Sequence, residues 1–133
     1  MPHLLHIWPS IHEQLLRASQ VLLLSDYDGT LTPLMPTPDE ADLPAQVRDR
    51  LATLAAGGKY IIGVISGRSL ADVSVKVGIP GMIYAGNHGL EIQGLGLDFV
   101  HPEAAEQAGV QAQVSAELQS ALSEAPGGIV EPK

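Results

Sequence analysis

The run Val21-Leu22-Leu23-Leu24-Ser25, followed at once by Asp26-Tyr27-Asp28-Gly29-Thr30, constrains this chain more than any other stretch. A short uninterrupted apolar run that stops abruptly at polar residues has the pattern of a strand buried on both faces of a parallel sheet. Two acids closing such a strand are hard to assign to packing, because carboxylates avoid the interior unless they are paired. In extended chain, residues two apart point the same way and sit about 6–7 Å apart, so Asp26 and Asp28 are expected on one side of the strand end. A phosphoryl group fits between them. Asp26 can attack phosphorus to form an aspartyl-phosphate; Asp28 can protonate the departing alkoxide and later take a proton from the hydrolytic water. Gly29 permits a sharp turn and close backbone approach, and Thr30 offers a hydroxyl.

Upstream, Ser10 with Glu13 forms a capping-box pattern, and Ile11, Leu15 and Leu16 recur at helical spacing, which predicts a short first helix. Downstream, a loop containing Pro33, Pro36 and Pro38 precedes Pro44, which suits a helix first turn, and Gly57 and Gly58 suit its end. The buried stripe of that helix is Val47, Leu51 and Leu54. Tyr60 to Ile65 predicts a second strand, Ser69 with Asp72 caps a helix running to about Val77, and Met82 to Ala85 predicts a third strand. Strand, helix, strand, helix, strand is the order of a parallel, doubly wound α/β sheet with right-handed crossovers.

Ligands of such sheets gather at the carboxyl ends of the strands. Three polar stretches fall there: Ser25 to Asp28, Ser66-Gly67-Arg68, and Gly86-Asn87-His88-Gly89. A hydroxyl and backbone N–H groups entering a helix N-terminus form an anion site, so Ser66 is the natural grip on a phosphate oxygen, although Ser66 and Ser69 also read as ordinary loop and cap residues. Asn87 also fits a simple left-handed turn. His3, His6, His12 and His101 follow no metal-ligand spacing, which points to solvated surface roles.

From His88 onward the pattern changes. Leu90 and Ile92 alternate with Glu91 and Gln93, Gly94 and Gly96 mark a turn, and Leu97 to Val100 can return as a hairpin. Pro102, Glu103 and Glu106 then suit a helix N-terminus, with Val110, Val114, Leu118, Ala121, Leu122 and Ala125 on one face. Gly127 and Gly128 release the chain into Ile129 and Val130, read as the start of another strand. The expected division is residues 1–20 as helix and lead-in, 21–87 as the core, and 88–133 as the start of a second module.

At 133 residues with 45% apolar composition, one compact unit is the default. A formal charge of −8 disfavours nucleic acid and anionic membrane as partners, since both would repel the chain. A phosphorylated small molecule would be repelled too, so it needs a metal ion, local cations or backbone N–H groups. No cysteine is present, which excludes disulfides and thiolate zinc sites and makes a reducing cytosol the simplest home. No signal peptide is read at the start, and Val21–Leu24 is far too short to span a bilayer.

These motifs converge on a known family. Asp-Tyr-Asp-Gly-Thr-Leu after an apolar strand resembles the first motif of the haloacid dehalogenase (HAD) superfamily of phosphohydrolases, and Ser66 falls where that superfamily places its second-motif Ser or Thr. More narrowly, Val64 to Leu70, Tyr84 to Ile92 and Ile129 to Lys133 resemble trehalose-6-phosphate phosphatases. The resemblance implies a HAD-like Rossmannoid three-layer core with a parallel sheet, followed by the start of an α+β cap domain. It implies magnesium-dependent hydrolysis of trehalose 6-phosphate to trehalose and phosphate. Asp26 would be nucleophile and metal ligand, and Asp28 the acid/base, binding metal through its carbonyl. Gly29, Thr30, Ser66, Gly67 and Arg68 would bind phosphate or substrate, with Asn87 and His88 near the junction of core and cap. Glu131 and Lys133 would lie in the cap and contact the sugar, and a trehalose-6-phosphate synthase would be the pathway or fusion partner.

The family's core lysine and its Gly-Asp-Asp type acidic motif have no counterpart here; Lys59 and Lys76 match neither. A metal held by one carboxylate and one carbonyl would bind weakly, so these 133 residues alone are expected to show little phosphatase activity. Three core strands also predict an exposed sheet edge. Competing readings are a phosphatase for another sugar phosphate, such as sucrose or mannosyl-glycerate phosphates, and a noncatalytic sugar-phosphate sensor or a regulatory domain attached to a synthase. A receiver-like phosphoacceptor is disfavoured by Asp28-Gly29-Thr30.

Overall fold

A computed structural model of the protein describes residues 3–123 and Val130. Five strands form one sheet in the order β1 (Val21–Asp26), β2 (Tyr60–Ile65), β3 (Ile83–Gly86), β4 (Glu91–Gly94) and β5 (Leu97–Val100). The first three pair in parallel, with Asp26 opposite Ile65 and Ile65 opposite Ala85, so their carboxyl ends lie side by side. The change of pattern at His88 marks a turn to antiparallel pairing: β4 runs back along β3, and β5 along β4. The hairpin expected over residues 90–100 therefore extends the same sheet, which is mixed rather than purely parallel.

The crossover helices form as their caps direct. Helix α2 (Ala45–Ala56) starts after Pro44 and ends at Gly57. Helix α3 (Leu70–Val77) starts where the Ser69 hydroxyl accepts the Asp72 N–H and ends at Gly78, whose φ of 60° is the left-handed conformation that glycine adopts without Cβ strain. Leu51 of α2, Val73 and Val77 of α3, and Ile62 and Val64 of β2 share one buried cluster with Tyr27, Ile79 and Met82. Val47 and Leu54 of the expected stripe pack at its margin. Arg48 ties the two helices together by donating to the carbonyls of Val77 and Lys76.

Strand β1 departs from expectation. Side chains on one face of a parallel pair are in register, so Leu22, Leu24 and Asp26 share the face of Ile61, Gly63 and Ile65, opposite the helix-covered face of Ile62 and Val64. On that opposite face Leu22 is 57%, Leu24 46% and Ile65 39% exposed. Of the three layers expected, the described residues supply the sheet and one layer of crossover helices. Among them β1 and β5 each have a neighbour on one side only, so one exposed edge falls on the strand read as doubly buried.

Two helices also differ. Helix α1 spans Leu4–Arg17 and is capped by the His3 imidazole, which accepts the Leu5 N–H. Ser10 is not its cap but an interior residue whose hydroxyl donates to the Ile7 carbonyl at 2.8 Å. Helix α4 (Pro102–Ala121) starts as expected, but Val110, Val114 and Leu118 of its apolar stripe are exposed, as is Leu122 just beyond it. Ala125 and Ile129 lie outside the described residues. No helix among the described residues is long and apolar enough to cross a membrane.

The hairpin turn offers a stability test. Leu95 and Gly96 have φ of 51° and 84°, the signs of a type I′ turn, where Asn-Gly is the favoured pair. A leucine held left-handed costs roughly 1–2 kcal/mol. Leu95 is 56% exposed, so little packing is lost on its removal. Leu95→Asn is expected to stabilise the protein by about 0.5–1 kcal/mol, read as a higher urea midpoint at unchanged slope.

Candidate active site

Three loops leave the carboxyl ends of β1, β2 and β3; main-chain bonds stitch the second and third together, and the Arg68 side chain joins the first to them. The Ser66 N–H donates to the Ala85 carbonyl at 2.9 Å, the His88 N–H to the Ser66 carbonyl at 3.0 Å, and the Asn87 N–H to the Arg68 carbonyl at 2.7 Å. The polar stretches singled out after each strand therefore form one rim.

The first loop folds around the carbonyl of Tyr27, which accepts the N–H groups of Leu31 and Thr32 at 3.0 and 3.1 Å. Tyr27 itself points inward: it is fully buried and its hydroxyl donates to the Ala41 carbonyl. Burial holds its hydroxyl above the ordinary tyrosine range, with the nearby Arg68 charge pulling the other way. Asp26 and Asp28 flank this anchored ring. Asp26 is exposed, and the one hydrogen bond its carboxylate receives among the described residues is a long one, 3.4 Å, from the Thr30 hydroxyl. Gly29, with φ of 78°, makes the turn that brings Thr30 back.

Asp28 faces the second loop. Arg68 donates to both of its oxygens, Nε to Oδ2 and Nη2 to Oδ1, each at 2.8 Å. The same guanidinium gives Nη1 to Asp72 at 2.8 Å and a second Nη2 bond to the Pro38 carbonyl at 2.7 Å, and it lies 5.4 Å from the centroid of the Tyr27 ring. The bonds to Asp28 hold its positive charge above even the ordinary arginine range; burial opposes this, and Asp72 adds to it. Asp28, Gly67, Arg68, Ser69 and Asp72 line an open hollow of about 810 Å³, which residues 34–39 and Val130 also line. Asp26 stays outside the lining of that hollow.

Ser66 is 3% exposed, and its hydroxyl oxygen accepts the Arg68 N–H at 3.1 Å, which leaves the hydroxyl hydrogen to donate. A Cβ at Gly67 would lie 2.7 Å from the His88 ring, so glycine there permits the imidazole to close over the loop. In the third loop Asn87 and His88 both have positive φ, 49° and 58°, so the turn reading of Asn87 holds; its Nδ2 also donates to Glu91 at 2.7 Å. Asn87 and His88 border a second hollow of about 580 Å³ that reaches the start of α4. Glu131 and Lys133 lie outside the described residues. Among the described residues no three His, Asp or Glu side chains converge as a metal cluster. Sequence reasoning missed Tyr27 as the anchor of the first loop and Asp72 as a partner of Arg68, although Arg-x-x-x-Asp at i, i+4 carried a signal for the latter.

A family model described as trehalose-phosphatase matches residues 24–133, which is most of the chain. The chain belongs to the trehalose-phosphatase family. The trehalose-phosphate phosphatase of Mycobacterium tuberculosis is 41% identical over 117 residues, covering 87% of this chain and 29% of that protein. That of Mycobacterium avium is 40% identical over 109 residues, covering 81% of this chain and 27% of the relative. The C-terminal domain of Candida albicans trehalose-6-phosphate phosphatase superposes with a TM-score of 0.74 at 27% identity, over 94% of this chain and 43% of that one. The Aspergillus fumigatus enzyme gives 0.62 at 31% identity, over 91% and 45%. The α/β fold expected for a trehalose-6-phosphate phosphatase is thus the fold found, and the chain spans under a third of the length of these curated relatives.

Proposed function

We propose that this chain carries the nucleophile half of a phosphomonoesterase that converts trehalose 6-phosphate and water to trehalose and phosphate. The observation that carries the reading is the Asp26–Asp28 pair flanking a buried Tyr27 at the end of β1, with Ser66 just past the parallel strand β2, in a chain of the trehalose-phosphatase family. Asp26 attacks phosphorus, the ester P–O bond breaks, and its electron pair leaves on the sugar oxygen, which takes a proton from Asp28. Water then attacks the aspartyl-phosphate, Asp28 recovers a proton, and Asp26 is regenerated. Ser66 donates its hydroxyl to a phosphate oxygen, with the loop N–H groups beside it. Asn87 and His88 border the hollow nearest the segment that would begin the cap, and Glu131 and Lys133 would reach the sugar from there. A chain without cysteine suits a reducing cytosol.

Magnesium fits the donor chemistry: the Asp26 carboxylate, which receives one long hydrogen bond among the described residues, and the Asp28 main-chain carbonyl are hard oxygen ligands of the kind it takes. Bound there, it would offset the charge of phosphate beside two acids. With one carboxylate and one carbonyl as its protein ligands the ion would be held weakly, so residues 1–133 alone should release phosphate at under about one-hundredth of the full-length rate.

The test is phosphate release by the full-length gene product on trehalose 6-phosphate, sucrose 6-phosphate and glucose 6-phosphate, with and without magnesium. The expected result is a kcat/KM for trehalose 6-phosphate about a hundredfold above the others and loss of all three on chelation. Equal turnover of the three sugars rejects the substrate assignment, and turnover unaffected by chelation rejects the metal.

A further inference from the structure

We propose that Arg68 is a positioning residue for Asp28: its fork fixes the direction in which the acid/base carboxylate meets the departing sugar oxygen, and it does not itself grip phosphate. This rests on the phosphatase reading above and assigns Arg68 a different task from the phosphate contact that the family resemblance implies.

The donor count favours it. A guanidinium has five N–H groups. Nε gives one to Asp28, Nη2 gives one to Asp28 and one to Pro38, and Nη1 gives one to Asp72, so four of the five are committed. An incoming phosphate would find one N–H, flanked by two carboxylates that outnumber the arginine charge. The Arg68 side chain is only 9% exposed, against 38% for that of Asp28, so solvent and substrate reach the carboxylate rather than the cation.

The arginine is also anchored from several directions. The Pro38 carbonyl belongs to the loop after β1, Asp72 to the first turn of α3, and the Tyr27 ring to the core. A planar fork held at so many points transmits a fixed orientation to whatever it binds. A carboxylate has about four lone-pair sites. Arg68 uses one on each oxygen of Asp28, which leaves both oxygens able to exchange a proton with a leaving group in the hollow.

The experiment separates positioning from binding by the leaving group. A sugar alkoxide needs a proton as it departs; p-nitrophenolate does not. Alcohol release in the first turnover would be measured for the full-length wild type, Arg68→Lys, Arg68→Ala and Asp28→Asn, with trehalose 6-phosphate and p-nitrophenyl phosphate. Expected is a loss of about 30–100-fold for trehalose release in both arginine variants, under about threefold for p-nitrophenol, and the same split in Asp28→Asn. Arg68→Lys keeps the charge without the fork, and it decides the matter if Arg68→Ala fails to fold. A raised KM with the saturated first-turnover rate unchanged would make Arg68 a phosphate ligand and overturn the proposal. Equal losses on both esters would reduce it to a structural role and overturn it too. A wild type inert on both esters sinks the phosphatase reading, and this proposal with it.

Discussion

Asp26→Asn is expected to lower phosphate release from trehalose 6-phosphate by about four orders of magnitude or more, the scale seen when a covalent nucleophile is removed. The amide is close in size to the carboxylate, and Asp26 is exposed with one long bond to Thr30, so the fold has little reason to notice the change. The loss should therefore appear in kcat with the melting temperature almost unmoved. Rapid quench with labelled substrate adds a second readout: the wild type should yield an acid-stable phosphoprotein and the variant none. Residual turnover within tenfold of wild type would assign the attack on phosphorus to another group.

Gly86→Ala should be strongly damaging for so small a substitution. Gly86 ends β3, and a Cβ built there would run into the main-chain nitrogen of Leu70 and lie 2.5 Å from its Cα and 2.9 Å from its Cβ. Leu70 opens α3, so the obstacle is backbone at a capped helix start and cannot swing aside as a side-chain tip would. Its φ of −101° suits alanine, which makes the effect one of packing alone. A cost of about 3 kcal/mol is expected, at the upper end for overpacking. It should register as a fall in the urea midpoint, with disturbed signals from Ser66 and Asn87, whose loops meet at this point. Gly109→Ala is the control: nothing lies within 4 Å of its would-be Cβ, and the change should stay within about 1 kcal/mol.

What the sequence revealed follows the range of the forces involved. Strand β2, helix α3 and the β4–β5 hairpin were legible because their signals are local: an apolar run, a serine cap with a glycine stop, and alternation around Gly94 and Gly96. The first helix was misjudged at its start because Ser-x-x-Glu is a pattern that also occurs inside helices, and the actual cap, an imidazole at His3, gives no such pattern. The burial of β1 was misjudged for another reason. Three leucines in a row say what a strand is fit to be covered by, and they carry no information about whether the cover is present. Asp26, Asp28 and Ser66 were singled out from their place after strands, which topology converts into proximity. The Arg68 network joins residues 30 and 40 positions apart, and no periodicity spans such a gap.

The leucine-rich first strand has a bearing on how this polypeptide behaves at the bench. An unpaired row of amide and carbonyl groups beside apolar side chains is an invitation to any other extended segment, including the same segment of another molecule. Residues 1–133 made alone should drift toward self-association and need a chaperone or a detergent to stay dispersed, and whatever polypeptide mates with that seam should turn an insoluble product into a tractable one.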